Sequence, residues 1–345
     1  MKGLLKYLSP FAPDQSGVVS VLFELGGITV ICDAGGCTGN ICGFDEPRWF
    51  YKKSALFSAG LRDMDAILGR DDKLVEKLKK AAASIDGKFV SIVGTPVPAV
   101  IATDFKALKK MASKRTGMPV VAVECTGTRY YDNGASDAYM ELFRTFTEAQ
   151  TEIEAGRVGV IGATPLDLNH INAGRVISEK LLAAGYKKVD CYGMGAGIDE
   201  IKTAANVEKN IVVAPSGLRA ARYLEKKYGT PYETAFFMLT EEEKAEISKH
   251  KGQKVLVINQ QMCANEIRNL LGGDNVDVAS FFMLDDEYRQ DNDMFFKGED
   301  ELIKAALEGG YDCIIGDKML KRAIKGYEGE FVHVPHFAIS GEYRE

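Results

Sequence analysis

The stretch Ile28-Thr-Val-Ile31 followed by Cys32-Asp-Ala-Gly-Gly-Cys37-Thr-Gly-Asn-Ile-Cys42 indicates both the fold class and a candidate site. Its first four residues form an apolar, β-branched run that is typical of a buried strand. The turn behind this strand is rich in glycine, with Gly35, Gly36, Gly39 and Gly43. Because glycine tolerates positive φ angles, such a turn lets the backbone approach a bound group closely.

Three of the seven cysteines of the chain lie in this turn, with the spacing Cys-x4-Cys-x4-Cys. Thiolates on a glycine-rich turn suit a metal cluster, since free backbone amides can donate hydrogen bonds to its sulfurs. The spacing matches neither the paired CxxC knuckles of zinc ribbons nor the bacterial ferredoxin run. Any cluster therefore needs ligands from elsewhere in the chain or from a second chain.

The composition predicts a soluble globular protein of two to three domains. The chain has 345 residues, of which 46% are hydrophobic, and its net charge is -6. This charge argues against non-specific binding to nucleic acid or to an anionic membrane surface. No run is apolar and long enough to span a bilayer, and the N-terminus lacks the apolar region of a signal peptide, so we expect a cytoplasmic protein. Cysteines in that compartment are thiols or metal ligands rather than disulfides.

Apolar strand patterns alternate with helical patterns along the whole chain. We expect strands at 28–31, 89–93, 119–124, 157–161, 188–191, 211–213, 254–258, 276–281, 313–315 and 331–334. This rhythm predicts parallel sheets with right-handed crossovers. The predicted fold class is α/β, with three Rossmann-like domains at 1–150, 151–238 and 239–345.

Two cysteines follow predicted strands of the first domain. Cys37 lies in the turn after 28–31, and Cys125 follows 119–124 directly. Ligands of such sheets bind outside the carboxyl ends of the strands, so we expect the two thiols to lie close together in space, facing a subunit interface. The alternative is that both are buried structural thiols.

Six segments, in order, resemble the component 1 subunits of nitrogenase and the light-independent protochlorophyllide reductase subunits. Gly35-Gly-Cys37-Thr-Gly39 looks like the family's Gly-Cys cluster ligand, and Pro119-Val-Val-Ala-Val-Glu-Cys125-Thr-Gly127 is similar to its second ligand segment. The other four matches are Pro98-Ala-Val-Ile-Ala-Thr-Asp104, Arg157-Val-Gly-Val-Ile-Gly162, Arg219-Ala-Ala-Arg-Tyr-Leu-Glu-Lys-Lys-Tyr-Gly229 and Val334-Pro-His336-Phe337. Together they cover essentially the whole chain.

The resemblance implies an oxidoreductase subunit that accepts electrons from a separate ATP-dependent iron protein. It implies an iron–sulfur cluster, expected as [4Fe-4S], bound by Cys37 and Cys125 with Gly36 and Gly127 beside them and Cys42 as an extra ligand or a spare thiol. With two thiolates per chain, a homodimer supplies the four that one cluster needs, and a homologous second subunit is the other expected partner. No G-x-x-x-x-G-K-[ST] motif occurs, so we expect no nucleotide on this chain.

Two departures from the family pattern redirect the expected chemistry. No cysteine lies near Ser9-Pro-Phe-Ala-Pro-Asp14, where the family has its first cluster ligand, and none lies in Ile211-Val-Val-Ala-Pro-Ser216, where the iron-molybdenum cofactor is anchored. We therefore expect no iron-molybdenum cofactor and no reduction of dinitrogen. The expected substrate is a small organic molecule or a tetrapyrrole.

The proton donor for a reduced substrate is left open by the sequence. His336 is the predicted catalytic residue, and His170 and Asp45 are the alternatives. Arg48 and Arg129 are interpreted as structural ion-pair residues rather than as anchors of an anionic substrate. Two other classes of function also fit: a non-catalytic scaffold for metallocofactor assembly, and a plain metal- or tetrapyrrole-binding module.

Overall fold

The fold contains three α/β units, each built on its own sheet. The computed structural model describes residues 5–345, and every pairing between their strands is parallel. The predicted fold class, with several Rossmann-like parallel sheets, is confirmed. The domain boundaries at 150 and 238 stay predictions.

The first unit carries a four-stranded sheet in the order β2-β1-β3-β4. Its elements are α1 (Asp14–Leu22), β1 (Gly27–Ile31), α2 (Gly36–Asn40), β2 (Ala55–Ser58), α3 (Asp63–Ile67), α4 (Asp71–Ser84), β3 (Phe89–Val93), α5 (Pro96–Val100), α6 (Phe105–Thr116), β4 (Val120–Val123) and α7 (Tyr131–Phe146). The strands β1 and β3 are buried along their whole length, which is why their sequences read as continuous apolar runs.

The second unit carries a four-stranded sheet in the order β6-β5-β7-β8. Its elements are β5 (Glu154–Ile161), α8 (Pro165–Leu168), α9 (Ala173–Ala183), β6 (Lys188–Cys191), α10 (Ile198–Lys202), β7 (Val207–Val212), α11 (Leu218–Tyr228) and β8 (Tyr232–Thr234). Gly229, with φ of 77°, ends α11 in the left-handed region that favours glycine.

The third unit carries a five-stranded sheet in the order β11-β10-β9-β12-β13. Its elements are α12 (Glu241–Ser248), β9 (Val255–Ile258), α13 (Gln261–Leu271), β10 (Val276–Ser280), β11 (Met294–Phe295), α14 (Glu299–Glu308), β12 (Cys313–Gly316), β13 (Glu330–His333) and α15 (Phe337–Ser340). The central strand β9 is fully buried, as its apolar sequence predicts.

The helices α1 and α7 form the closest helix contact of the first unit. A Cβ on Gly17 would lie 1.8 Å from the Tyr131 carbonyl oxygen, and one on Gly134 would lie 1.8 Å from the Asp14 carbonyl oxygen. Only glycine at both positions lets the two backbones approach this closely. No helix between residues 5 and 345 has the length and apolar character needed to cross a bilayer.

Both ends of the described chain form hydrogen bonds with a unit other than their own. The buried Glu299 carboxylate, at the start of α14, accepts hydrogen bonds from the backbone N–H groups of Lys6, Tyr7 and Leu8. At the other end, the Arg344 backbone N–H donates to the Asn169 carbonyl oxygen of the second unit at 2.8 Å. The third unit is therefore hydrogen-bonded to the first unit through Glu299 and to the second unit through Arg344.

Candidate functional site

The turn after β1 is folded around the buried carboxylate of Asp33. Its Oδ2 accepts a hydrogen bond from the Thr38 backbone N–H at 2.8 Å, and its Oδ1 accepts one from the Ser58 hydroxyl at 2.6 Å. Gly35 adopts a φ of 120°, which a residue with a Cβ rarely does. Asp33 thus fixes the turn that presents Cys37, a role that sequence reasoning missed.

Cys37 lies in the first turn of α2 and is half-buried. Its thiol lies near the side chain of Thr95, just past the carboxyl end of β3, and the Thr95 hydroxyl donates a hydrogen bond to the Cys32 carbonyl oxygen at 2.7 Å. Burial raises the pKa of Cys37, the Asp33 charge raises it further, and the Thr95 side chain opposes both. In the absence of a bound metal the side chain is therefore a thiol at neutral pH.

Cys125 follows β4 and is 2% exposed. Burial raises its pKa well above the ordinary value of a thiol, with the Asp14 charge as the next cause. Asp14 also holds the loop after Cys125. Its carboxylate accepts hydrogen bonds from the backbone N–H groups of Thr126 and Gly127 at 3.0 and 2.9 Å and from Arg129 Nε at 3.2 Å.

The structure brings Cys37 and Cys125 to the same carboxyl edge of the first sheet. Cys37 contacts Thr95, and the preceding Gly94 packs on the Cys125 backbone, where a Cβ would lie 2.6 Å from the amide nitrogen. Cys125 is also part of a large hydrophobic cluster, and Cys37 packs against the surface of the same cluster.

Cys42 lies in a π-helix, Ile41–Asp45, that continues α2. Single π-helical turns are frequent at functional sites. Cys42 is half-buried, and burial, Glu46 and Asp33 together raise its pKa. The remaining cysteines, Cys32, Cys191, Cys263 and Cys313, are all buried.

The turn that carries Cys37 is open beside its glycines and does not form a complete metal site within the described residues. Among residues 5–345, no three side chains of His, Cys, Asp or Glu converge as a metal site. The glycines of the turn, Gly35, Gly36, Gly39 and Gly43, have open space where a Cβ would stand. Two buried oxygens close to the turn and the Cys125 loop, Thr38 Oγ1 and Gln15 Oε1, have no partner in the described chain.

His336 lies at the junction of the three units and has no exposed surface. Its Nε2 is 3.0 Å from the hydroxyl of Tyr131, which donates to Asp167 Oδ1 at 2.8 Å. Burial lowers the pKa of His336 to about 3 and raises that of Asp167 to about 7. The rings of Tyr131 and Phe282 pack on the imidazole, with centroids 6.3 and 5.0 Å away. The imidazole is therefore neutral and enclosed.

A cavity of about 340 Å³ lies between the first and third units. Leu166 and Phe337 form part of its wall, and the backbone of Leu166 also faces the imidazole of His336. Asp45, at the end of the π-helix, lines the cavity, and burial raises the pKa of its carboxyl. Of the three candidate proton donors, Asp45 alone faces this cavity.

The other polar residues singled out in the sequence have structural surroundings. Arg48 is fully buried, where it pairs with Glu46 and Glu24 and donates to the Gly193 carbonyl oxygen. Arg129 pairs with Asp14. His170 accepts a hydrogen bond from the Asn172 backbone N–H, and burial lowers its pKa.

The comparisons with known proteins agree with the fold and with the family resemblance. A profile of the family described as Nitrogenase component 1 type Oxidoreductase matches residues 29–247, more than half of the chain. The chain is 27% identical over 246 residues to the nitrogenase iron-molybdenum cofactor biosynthesis protein NifE of Clostridium pasteurianum, covering 69% of this chain and 48% of that protein. It is 24% identical over 190 residues to the nitrogenase molybdenum-iron protein alpha chain of Crocosphaera subtropica, covering 51% of this chain and 38% of that one.

A solved structure titled Nitrogenase Cp1 at pH 6.5 superposes with a TM-score of 0.71, covering 97% of this chain and 87% of that chain. Its identity is 13%, so the likeness concerns the fold. The chain spans about half the length or less of these curated relatives. The resemblance that the sequence motifs suggested is confirmed, and the chain belongs to the nitrogenase component 1 type oxidoreductase family.

Proposed function

We propose that this chain is a subunit of a nitrogenase-like oxidoreductase, in which Cys37 and Cys125 hold an iron–sulfur cluster at a subunit interface. The chain accepts electrons from an ATP-dependent iron protein and reduces a small organic or tetrapyrrole substrate other than dinitrogen. The observation that supports the proposal is that Cys37 and Cys125 follow β1 and β4, two strands of one parallel sheet whose carboxyl ends lie at the same edge. Family membership supports it.

The proposed cluster is of the [4Fe-4S] type and is shared by two chains. Two thiolates per chain and a two-fold axis give the four ligands that such a cluster needs, and Cys42 is an additional proposed ligand. Exposed apolar side chains near the same sheet edge support a partner there: Val100 is 84% exposed on α5, which begins next to Thr95, and Ile67 is 74% exposed on α3. A homodimer is the simplest such partnership, and a homologous second subunit is the other.

When bound, the cluster supplies one-electron transfer. The chain's own contribution is to hold the ligands. Asp33 fixes the turn that carries Cys37, and Asp14 fixes the loop that follows Cys125. Both ligands must lose a proton on binding, because metals bind the thiolate and burial raises both pKa values. We therefore expect reconstitution with iron and sulfide to release protons.

His336 is the proposed proton donor. It would act as a neutral imidazole held by the Tyr131 hydroxyl, which is itself held by Asp167, a carboxyl whose pKa is about 7. Leu166 and Phe337 separate it from the cavity, so this role requires the wall to open when substrate binds.

Anaerobic purification with counts of iron and acid-labile sulfide tests the proposal. We expect about two irons and two sulfides per chain, which is one [4Fe-4S] cluster per dimer. Cys37→Ser and Cys125→Ser should each lose the cluster absorbance, whereas the matched control Cys263→Ser, in a buried helix of the third unit, should keep it. Addition of an iron protein with MgATP should bleach the absorbance. A protein that contains no iron under these conditions would be a plain binding module.

A second function is favoured by the relatives: a scaffold on which a metallocofactor is assembled. Several similar curated proteins are named as iron-molybdenum cofactor biosynthesis proteins. A scaffold carrying ⁵⁵Fe should pass the label to an acceptor protein without turnover, whereas a reductase should retain it through repeated reduction and reoxidation. The same experiment therefore separates the two.

The proposed location is the cytoplasm. All seven cysteines are free, which is the state expected in a reducing compartment.

A further inference from the structure

The cavity between the first and third units has an unusual chemical lining. Four aromatic side chains, Phe44, Phe50, Phe337 and Tyr343, and one carboxylate, Asp45, face a space of about 340 Å³. No lysine, arginine or histidine is among the residues that line it in the described chain. The negative charge of Asp45 therefore has no cationic side chain beside it in the cavity.

One oxygen of the Asp45 carboxylate accepts hydrogen bonds within the described chain, and the other does not. Oδ2 accepts hydrogen bonds from the Ser16 hydroxyl at 2.6 Å and from the Asn40 side-chain amide at 2.7 Å. Within residues 5–345, Oδ1 has no hydrogen-bond donor. The two donors orient the group and favour its ionised form, while burial and Glu46 raise its pKa. A positive charge in the cavity would offset the free-energy cost of burying the ionised Asp45 carboxylate.

The aromatic rings favour the same kind of ligand. The faces of phenylalanine and tyrosine rings attract cations, most strongly where water is excluded. An anion would meet the Asp45 charge without any compensating cation, and a neutral molecule would leave that charge unpaired. Aromatic ring faces and an unpaired carboxylate are the groups with which proteins recognise organic ammonium ions.

We propose that this cavity binds a small organic cation, an ammonium group or a protonated ring nitrogen on an apolar body. Its volume is at the low end of the range for small-molecule sites, which disfavours a full tetrapyrrole. The interpretation of this cavity as the substrate site of a reductase rests on the proposed function. The binding of an organic cation in the cavity does not depend on that function, because no cluster ligand is needed to hold the cation.

Isothermal titration of the full chain with three matched probes tests the proposal. Benzyltrimethylammonium should bind at least tenfold more tightly than neutral benzyl alcohol, and phenylacetate should not bind. Asp45→Asn should weaken the cation about tenfold and leave benzyl alcohol unchanged. The matched control Asp286→Asn, at a side chain that is 95% exposed, should behave as wild type. Equal affinity for the three probes, or an unchanged cation affinity in Asp45→Asn, overturns the proposal.

A second variant keeps the test decisive if Asp45→Asn fails to fold. Phe50 is 67% exposed at the cavity, so Phe50→Leu should fold normally while it removes a ring face and keeps apolar bulk. It should reduce the preference for the cation over benzyl alcohol, and an unchanged preference contradicts the proposal. Cys37→Ser should bind the cation like wild type. Cation binding by a protein that proves to carry no cluster would refute the proposed reductase and leave this site standing.

Discussion

Replacement of Asp167 by asparagine should flatten the pH dependence of the free energy of unfolding between about pH 4 and pH 7. Asp167 is fully buried beneath Tyr131, whose hydroxyl donates to it at 2.8 Å, and burial raises its pKa to about 7. In the unfolded chain the same carboxyl has a pKa of about 3.9. The native state therefore keeps a proton that the unfolded state gives up.

The size of the effect follows from this difference. Between the two pKa values the unfolded state binds about one proton fewer, so the free energy of unfolding falls by about 1.4 kcal/mol per pH unit. The contribution is fully present below about pH 3.9 and is lost as the pH rises through about 7, for a total of ~4 kcal/mol. Asparagine does not titrate, and its Oδ1 can still accept the Tyr131 hydrogen bond.

Urea unfolding followed by Trp49 fluorescence, repeated in steps from about pH 4 to about pH 8, measures this slope. Other buried carboxyls with raised pKa values, such as Asp132 and Asp45, titrate in both proteins, so the difference between the wild-type and variant curves isolates Asp167. Asp286→Asn, at an exposed site, should parallel wild type. Parallel curves for wild type and Asp167→Asn would refute the reasoning.

Three further predictions concern the first unit. Gly134→Ala places a Cβ 1.8 Å from the Asp14 carbonyl oxygen and should cost about 3 kcal/mol or more in urea unfolding; a loss below about 1 kcal/mol would mean that α1 and α7 can separate freely. Asp14→Ala removes the acceptor of two backbone N–H groups and should cost ~2–5 kcal/mol, with faster reaction of Cys125 with a thiol reagent; unchanged reactivity would show that another contact holds the loop. In cluster-free protein, iodoacetamide should modify half-buried Cys37 before Cys125, as peptide mass spectrometry can measure; the reverse order would contradict the burial of Cys125.

The central strands of all three sheets could be predicted from the sequence, as could the edge strands β4, β6 and β13, whereas the edge strands β2, β8 and β11 could not. The strands β1 and β9 and the second half of β5 are buried on both faces, so apolar side chains occupy most of their positions. The missed strands β2, β8 and β11 each lie at a sheet edge. They are short and partly exposed, so they lack the continuous apolar run that identifies a strand.

The candidate site was predictable to the level of its cysteines and no further. Cys37 and Cys125 follow strand patterns, and parallel topology places strand ends at one edge. The carboxylates that shape the site, Asp33 and Asp14, act through contacts with segments distant from them in sequence, and a single acidic residue carries no pattern that predicts such a contact. The lining of the cavity was hidden for the same reason, because Asp45 and Phe337 come from different units.

The bond between Glu299 and the segment Lys6–Leu8 has a consequence for the order in which the molecule is completed. The carboxylate has three backbone donors, all of which are synthesised almost three hundred residues earlier. During synthesis on the ribosome, the backbone N–H groups of Lys6–Leu8 lack this acceptor until Glu299 of the third unit has emerged. Such a molecule can assemble its first two sheets during synthesis, but the contact between Glu299 and Lys6–Leu8 forms only after the third unit has been synthesised as far as Glu299.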